Sequence, residues 1–210
     1  MNNTEMTQKF NNDYTTKSHK YKVIVIGVST GGIKALKTIL SVFPSKFALS
    51  VIIVMHRHKS TDGCLEQLLD NDCKMHVKQA DEKEKITAGV VYVAPPNYHL
   101  LIEDDGTFSL SVEGTVNYAR PSVDVVFESA AEAYGQGLIG VILTGANKDG
   151  CEGLKKIKES GGLVIVQTPE TSEVADMPEA AIASVKPDYV LPLERIGPFL
   201  KKLASERYYC

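Results

Sequence analysis

Three polar clusters in this sequence hold the residue types that acyl transfer to water requires. The first is Gly27-Val28-Ser29-Thr30-Gly31-Gly32, the second begins at His56, and the third is Thr144-Gly145-Ala146-Asn147-Lys148-Asp149-Gly150. Residues 27–31 fit the G-x-S-x-G nucleophile elbow, in which a sharp strand-to-helix turn lifts a serine above the sheet edge. Glycines suit such a turn because a Cβ clashes where the chain reverses and packs closely. The helix start beneath the serine offers unpaired N–H groups and a positive dipole end to a developing oxyanion. A neutral imidazole at His56 can take the serine proton and return it to a leaving alkoxide. A carboxylate at Asp149 can orient that imidazole and stabilise its charged form.

Each cluster alone has a plainer reading. A glycine-rich turn also suits a phosphate loop, although GVSTGG lacks the G-x-G-x-x-G spacing and has no Walker lysine. A lone histidine is usually structural or solvated. Asp149 can equally cap the helix expected near Cys151. The three gain weight together, because all follow the ends of expected strands.

Those strands are short apolar runs. Residues 21–26 (YKVIVI) and 49–55 (LSVIIVM) read as buried strands. Between them Ile33, Leu36, Ile39, Leu40 and Phe43 recur at helical spacing, with Pro44 as the stop. A short helix follows near residues 65–69. Residues 90–94, 100–103 and 108–112, separated by PPNYH and DDG turns, read as an antiparallel meander. A helix then carries Val123, Val126, Phe127, Ala130 and Tyr134 on one stripe, with Ser122 as N-cap. Strands at 138–143, 163–167 and 189–191 alternate with helices at 151–159, 177–184 and up to about residue 203. This alternation predicts an α/β fold: a doubly wound, mostly parallel sheet, helices on both faces, and an antiparallel hairpin or meander. Ligands in such sheets bind beyond the carboxyl ends of the strands, where the three clusters fall.

Other candidates are weaker. His58 lies in the polar loop after His56, His76 and His99 lie in or beside the meander, and His19 lies in a polar arm. Asp62, Asp81, Asp104 and Asp105 occupy charged loops and turns, and the DEKEK run at 81–85 reads as a solvated turn. Arg120 and Asp124 are candidates for the site rim. Cys64, Cys73, Cys151 and Cys210 match no zinc, haem or CxxC spacing and read as reduced thiols. The formal net charge is −3 over 210 residues, so nothing global points to nucleic acid or a membrane surface. No run reaches the roughly 18 apolar residues of a membrane span. Residues 1–20 read as a disordered polar arm without a signal-peptide core, and residues 21–210 as one domain.

Read in order, VIVIGVSTGG, the His56 strand end, VYVAPPNYHL, RPSVDVVF, GVILTGANKDG and DMPEAAI resemble the catalytic domain of the bacterial chemotaxis protein-glutamate methylesterases. The resemblance spans about residues 22–203. It implies Ser29 as nucleophile, His56 as base and Asp149 as the third triad member. It also implies Thr30 as a supporting residue, and Ala146 near the oxyanion site, where many members carry methionine. The implied reaction is hydrolysis of glutamyl methyl esters, with deamidation of certain glutamines, on methylated chemoreceptors in the cytoplasm. It needs no metal or organic cofactor and no insertion into the membrane. Separate signalling proteins are the expected regulators.

Three departures stand out. The usual His-Met-Pro-Pro-Gly loop is His56-Arg57-His58-Lys59-Ser60, the usual Gly-Asn before the aspartate is Asn147-Lys148, and the receiver domain has no counterpart. The start at Met1 favours a naturally short chain. A serine esterase with another substrate, or a non-catalytic module docking on a signalling protein, are the competing functions.

Overall fold

The computed structural model describes residues 18–56 and 64–208. In chain order the elements are β1 (Ser18–His19), β2 (Val23–Val28), α1 (Gly32–Leu40), β3 (Ser50–Met55) and α2 (Cys64–Asp70). Then come β4 (His76–Gln79), β5 (Val90–Val93), β6 (His99–Ile102), β7 (Phe108–Ser111) and α3 (Val123–Tyr134). The chain closes with β8 (Leu138–Ile142), α4 (Cys151–Glu159), β9 (Leu163–Gln167), α5 (Asp176–Ser184), β10 (Tyr189–Leu191), α6 (Leu193–Leu203) and β11 (Arg207–Tyr208).

Seven strands form one parallel sheet in the order β10-β9-β8-β2-β3-β5-β4. The α/β expectation therefore holds, with β6 and β7 as a separate antiparallel hairpin. Strand β2 shows why both faces are covered. Its Val23 and Val25 point into a core with α3, α4, α5 and the hairpin, whereas Ile24, Ile26 and Val28 point into a core with α1, α2 and α6. Alternate side chains on a strand face opposite ways, so a strand apolar at every position demands helices on both sides.

The sheet is built outward from β2. The chain first adds β3, β5 and β4 on one side, then returns to add β8, β9 and β10 on the other. This reversal opens a crevice at the carboxyl ends of the central strands.

One expectation is corrected. Residues 90–94 do not join an antiparallel meander: β5 pairs in parallel with β3 and with β4. Its Val91, Tyr92 and Val93 are buried, and a strand sandwiched in this way belongs in the parallel sheet. Strand β4 itself escaped the sequence reading, since HVKQ at a sheet edge carries little apolar signal. Of the proposed polar arm, Ser18–His19 pairs antiparallel with Arg207–Tyr208, the Lys20 N–H donates to the Glu206 carbonyl at 3.2 Å, and residues 1–17 lie outside the described residues. No helix among the described residues is long and apolar enough to cross a membrane.

Candidate active site

Ser29 and His56 are brought together by strand register. Val28 pairs with Met55 in the parallel β2–β3 ladder, so the next residue on each strand is Ser29 on one and His56 on the other. Neighbouring strands lie about 4.8 Å apart, which makes these two positions adjacent at the sheet edge. On the other flank of β2, Gly27 pairs with Ile142, and the Ser29 N–H donates to the Thr144 carbonyl at 3.0 Å. The three clusters thus meet at the ends of three contiguous strands.

The elbow depends on its glycines. Gly31 precedes α1 with φ +78°, a left-handed conformation that carries no penalty for glycine. A Cβ on Gly27 would lie 2.4 Å from Val123 Cγ1, so α3 can pack onto the strand only because position 27 is bare. Thr30 is exposed at the turn, and its carbonyl accepts a bond from Thr144 Oγ1 at 2.9 Å. The Gly32 N–H donates to the Ser29 carbonyl at 2.9 Å, and helix geometry leaves the next N–H groups, those of Ile33 and Lys34, without intrahelical partners.

His56 Nε2 lies 2.7 Å from Asp149 Oδ2. Asp149 is fully buried and also accepts from Asn117 Nδ2 (3.0 Å), Ser122 Oγ (2.8 Å), the Val123 N–H (2.6 Å) and the Asp124 N–H (3.1 Å). Burial pushes its pKa up. The hydrogen bonds, led by that from His56, outweigh burial and hold the carboxyl below the usual carboxylate range. Asp149 does cap a helix, but not the one beginning at Cys151. It receives the first N–H groups of α3, whose positive end favours an anion. Ser122 occupies the N-cap position as expected, yet its hydroxyl is turned to Asp149 and makes no side-chain cap bond.

Asp124, raised as a rim candidate, is instead buried behind Asp149, bound to the Gly153 N–H (2.8 Å) and Asn117 Nδ2 (2.7 Å). Arg120 lines the cavity, with Nη1 bonded to the Val112 and Glu113 carbonyls. His99 is buried and bonded to the Gly114 carbonyl at 2.9 Å, so it is structural. His76 is exposed and far along the chain from the elbow, beside Asp70. His58 and Asp62 lie outside the described residues.

Ser29, Thr30, His56, Asn117, Tyr118 and Asn147 line one open cavity of about 1610 Å³. Ala146 is exposed on the adjoining loop and is not among the residues lining it. Among the described residues, no group of three or more His, Cys, Asp or Glu side chains is placed to hold a metal ion.

Two asparagines at the site were given no role by the sequence. Asn117 and Tyr118 sit at φ 52° and 61° in a tight turn closed by paired Val116–Ala119 backbone bonds. That left-handed pair has the form of a type I′ hairpin turn, aiming the Asn117 amide at Asp149 and leaving Tyr118 fully exposed at the cavity rim. An asparagine at a turn position was the only local signal. Asn147 donates from Nδ2 to His56 Nδ1 at 2.8 Å, while its Oδ1 accepts the Asp149 N–H at 3.0 Å.

Residues 24–200 match the family model described as CheB methylesterase. A Leptospira interrogans protein (serovar copenhageni) is 55% identical over 183 residues, covering 87% of this chain and 95% of that one. Its name gives protein-glutamate methylesterase/protein-glutamine glutaminase as a provisional assignment. A Thermotoga maritima protein named protein-glutamate methylesterase/protein-glutamine glutaminase is 39% identical over 185 residues, covering 87% of this chain and 54% of that one. The crystal structure of the Thermotoga maritima CheB methylesterase catalytic domain superimposes with a TM-score of 0.84 at 37% identity, covering 87% of this chain and 98% of that one.

Proposed function

The chain belongs to the CheB methylesterase family, and from that membership we propose that it hydrolyses glutamyl methyl esters on chemoreceptors through Ser29, His56 and Asp149. One observation carries the residue roles. Ser29 and His56 follow paired positions of adjacent strands, and the imidazole is tied at 2.7 Å to a buried, ionised carboxylate.

The Asp149 carboxylate only accepts, so Nε2 carries the ring proton and donates to it, which leaves Nδ1 as the ring nitrogen that serves as base. His56 Nδ1 removes the Ser29 hydroxyl proton while Oγ bonds to the ester carbonyl carbon. The C–O bond to the methoxy group then breaks, and methanol leaves with the proton from Nδ1. Water next gives a proton to Nδ1 and attacks the acyl carbon. The carbon–Oγ bond breaks, and Ser29 recovers its proton as glutamate is released. For a glutamine side chain the same steps expel ammonia. Backbone N–H groups at the start of α1 and at Ala146 hold the oxyanion in this scheme, with Thr30 supporting the turn. The Ser29 N–H is spent on the Thr144 carbonyl and the Gly32 N–H on the Ser29 carbonyl, so neither takes part.

We place the catalytic unit in residues 21–210, acting in the cytoplasm on a methylated receptor helical bundle, with separate signalling proteins as regulators. The test is methanol release from methylated receptor membranes, together with labelling by a serine-reactive phosphonate. Ser29→Ala is expected to stay folded and lose several orders of magnitude in rate. Activity within tenfold of the parent would overturn the elbow assignment.

A further inference from the structure

Nδ1 of His56, the nitrogen that must accept the serine proton, already has a partner. Asn147 Nδ2 donates to it at 2.8 Å. The amide cannot be turned the other way. Its Oδ1 accepts the Asp149 N–H at 3.0 Å, and a reversed amide would set donor against donor there and acceptor against acceptor at the ring. On the far side of the ring, Asp149 fixes the proton on Nε2. The imidazole is therefore held in the right tautomer by Asp149 alone, and Asn147 adds only occupation of the basic lone pair. Among the described residues, no hydrogen bond joins Ser29 Oγ to His56. A neutral Nδ1 has one in-plane lone pair, so Ser29 and Asn147 compete for it.

We propose that Asn147 is a positioning residue that caps the base, holding a resting site from which Ser29 must displace the amide before acylation. The inference rests on the triad reading of Ser29 and His56. The site is thereby kept from attacking when nothing occupies the cavity. Substrate contact with Asn147, which lines that cavity, is the natural means of release.

Two variants separate this role from simple support of the loop. Asn147→Ala removes the cap and also the acceptor for the Asp149 N–H. Asn147→Asp keeps that acceptor but faces the ring with an acceptor, which holds a proton on Nδ1 and leaves no base. A capping role predicts faster reaction in the first and slower in the second. A loop-supporting role predicts loss in the first and near-parental behaviour in the second. A neutral hydrogen bond of ordinary net strength corresponds to a rate gain of roughly 2- to 10-fold on its removal.

The experiment measures the labelling rate of Ser29 by a fluorophosphonate in the full chain, and the ring ¹⁵N signals of His56. In the parent the signals should show a protonated Nε2 and a hydrogen-bonded, unprotonated Nδ1. Asn147→Ala should keep that tautomer and label faster; Asn147→Asp should label slower. An Asn147→Ala rate equal to or below the parent's overturns the proposal. If that variant fails to fold, an unchanged rate in Asn147→Asp overturns it instead. Absence of labelling at Ser29 in the parent would sink the triad reading itself, an outcome distinct from unchanged rates in the Asn147 variants.

Discussion

Replacing Asp124 by asparagine should alter stability in a pH-dependent way, because the fold holds this carboxyl where a charge is disfavoured. Asp124 is buried, and its carboxylate shares the Asn117 amide with that of Asp149. Burial is the main cause of its raised pKa, with the Asp149 and Glu128 charges adding to it. The Gly153 N–H and the Asn117 amide oppose the rise, and the result is lifted from 3.8 to about 6. An acid whose folded pKa is raised contributes fully below its unfolded value and loses that contribution as the pH climbs through the folded one. The window here runs from 3.8 to about 6. At about 1.4 kcal/mol per pH unit this span corresponds to about 3 kcal/mol. Asparagine is uncharged throughout, so the unfolding free energy of the variant minus that of the parent should rise by about 2 kcal/mol between roughly pH 4 and pH 7. Asp149, held below the usual carboxylate range, stays ionised over most of this window and largely cancels in the difference. Urea unfolding followed by circular dichroism at several pH values measures it. The constant cost of misplacing an amide N–H does not affect the slope. A difference that is flat or falls with pH would refute the argument that burial beside Asp149 suppresses this charge.

Three further outcomes follow from the same contacts. Asp149→Ala strands the donors of His56, Asn117, Ser122 and the α3 terminus, and should cost about 3–5 kcal/mol of stability. It should also lower kcat by about 10⁴-fold; unfolding within 1 kcal/mol of the parent would show that α3 does not need this cap. Gly27→Ala places a methyl 2.4 Å from Val123 Cγ1 and should destabilise by about 1–3 kcal/mol in thermal or urea unfolding. Tyr118→Gly suits the left-handed turn and removes a fully exposed ring from the cavity rim. It should raise KM for receptor membranes with kcat unchanged; a fall in kcat would mean that the turn acts on the chemistry through Asn117.

Much of the site was legible in the chain because its signals are local. An unbroken apolar run before GVSTGG marks a buried strand, and glycines at 27, 31 and 32 mark the turn that presents Ser29. The same logic placed His56 at the end of SVIIVM and Asp149 in the loop after LIGVI. Strand ends and glycine turns follow from a few consecutive residues, whose side-chain size and backbone freedom are set by type alone.

What tertiary structure decided is everything that depends on partners distant in sequence. VVYV reads the same whether its neighbour runs parallel or antiparallel; burial between β3 and β4 chose parallel. By sequence Asp149 could cap the helix near Cys151, and packing of α3 across β2 turned it to Val123 and Asp124 instead. The bond between His56 and Asp149 spans 93 positions, and no local pattern states which ring nitrogen makes it. The roles of Asn117 and Asn147 arose in the same way. An amide has donor and acceptor ends of nearly equal shape, and only the groups that the fold brings to each end determine which way it points and which lone pair it occupies.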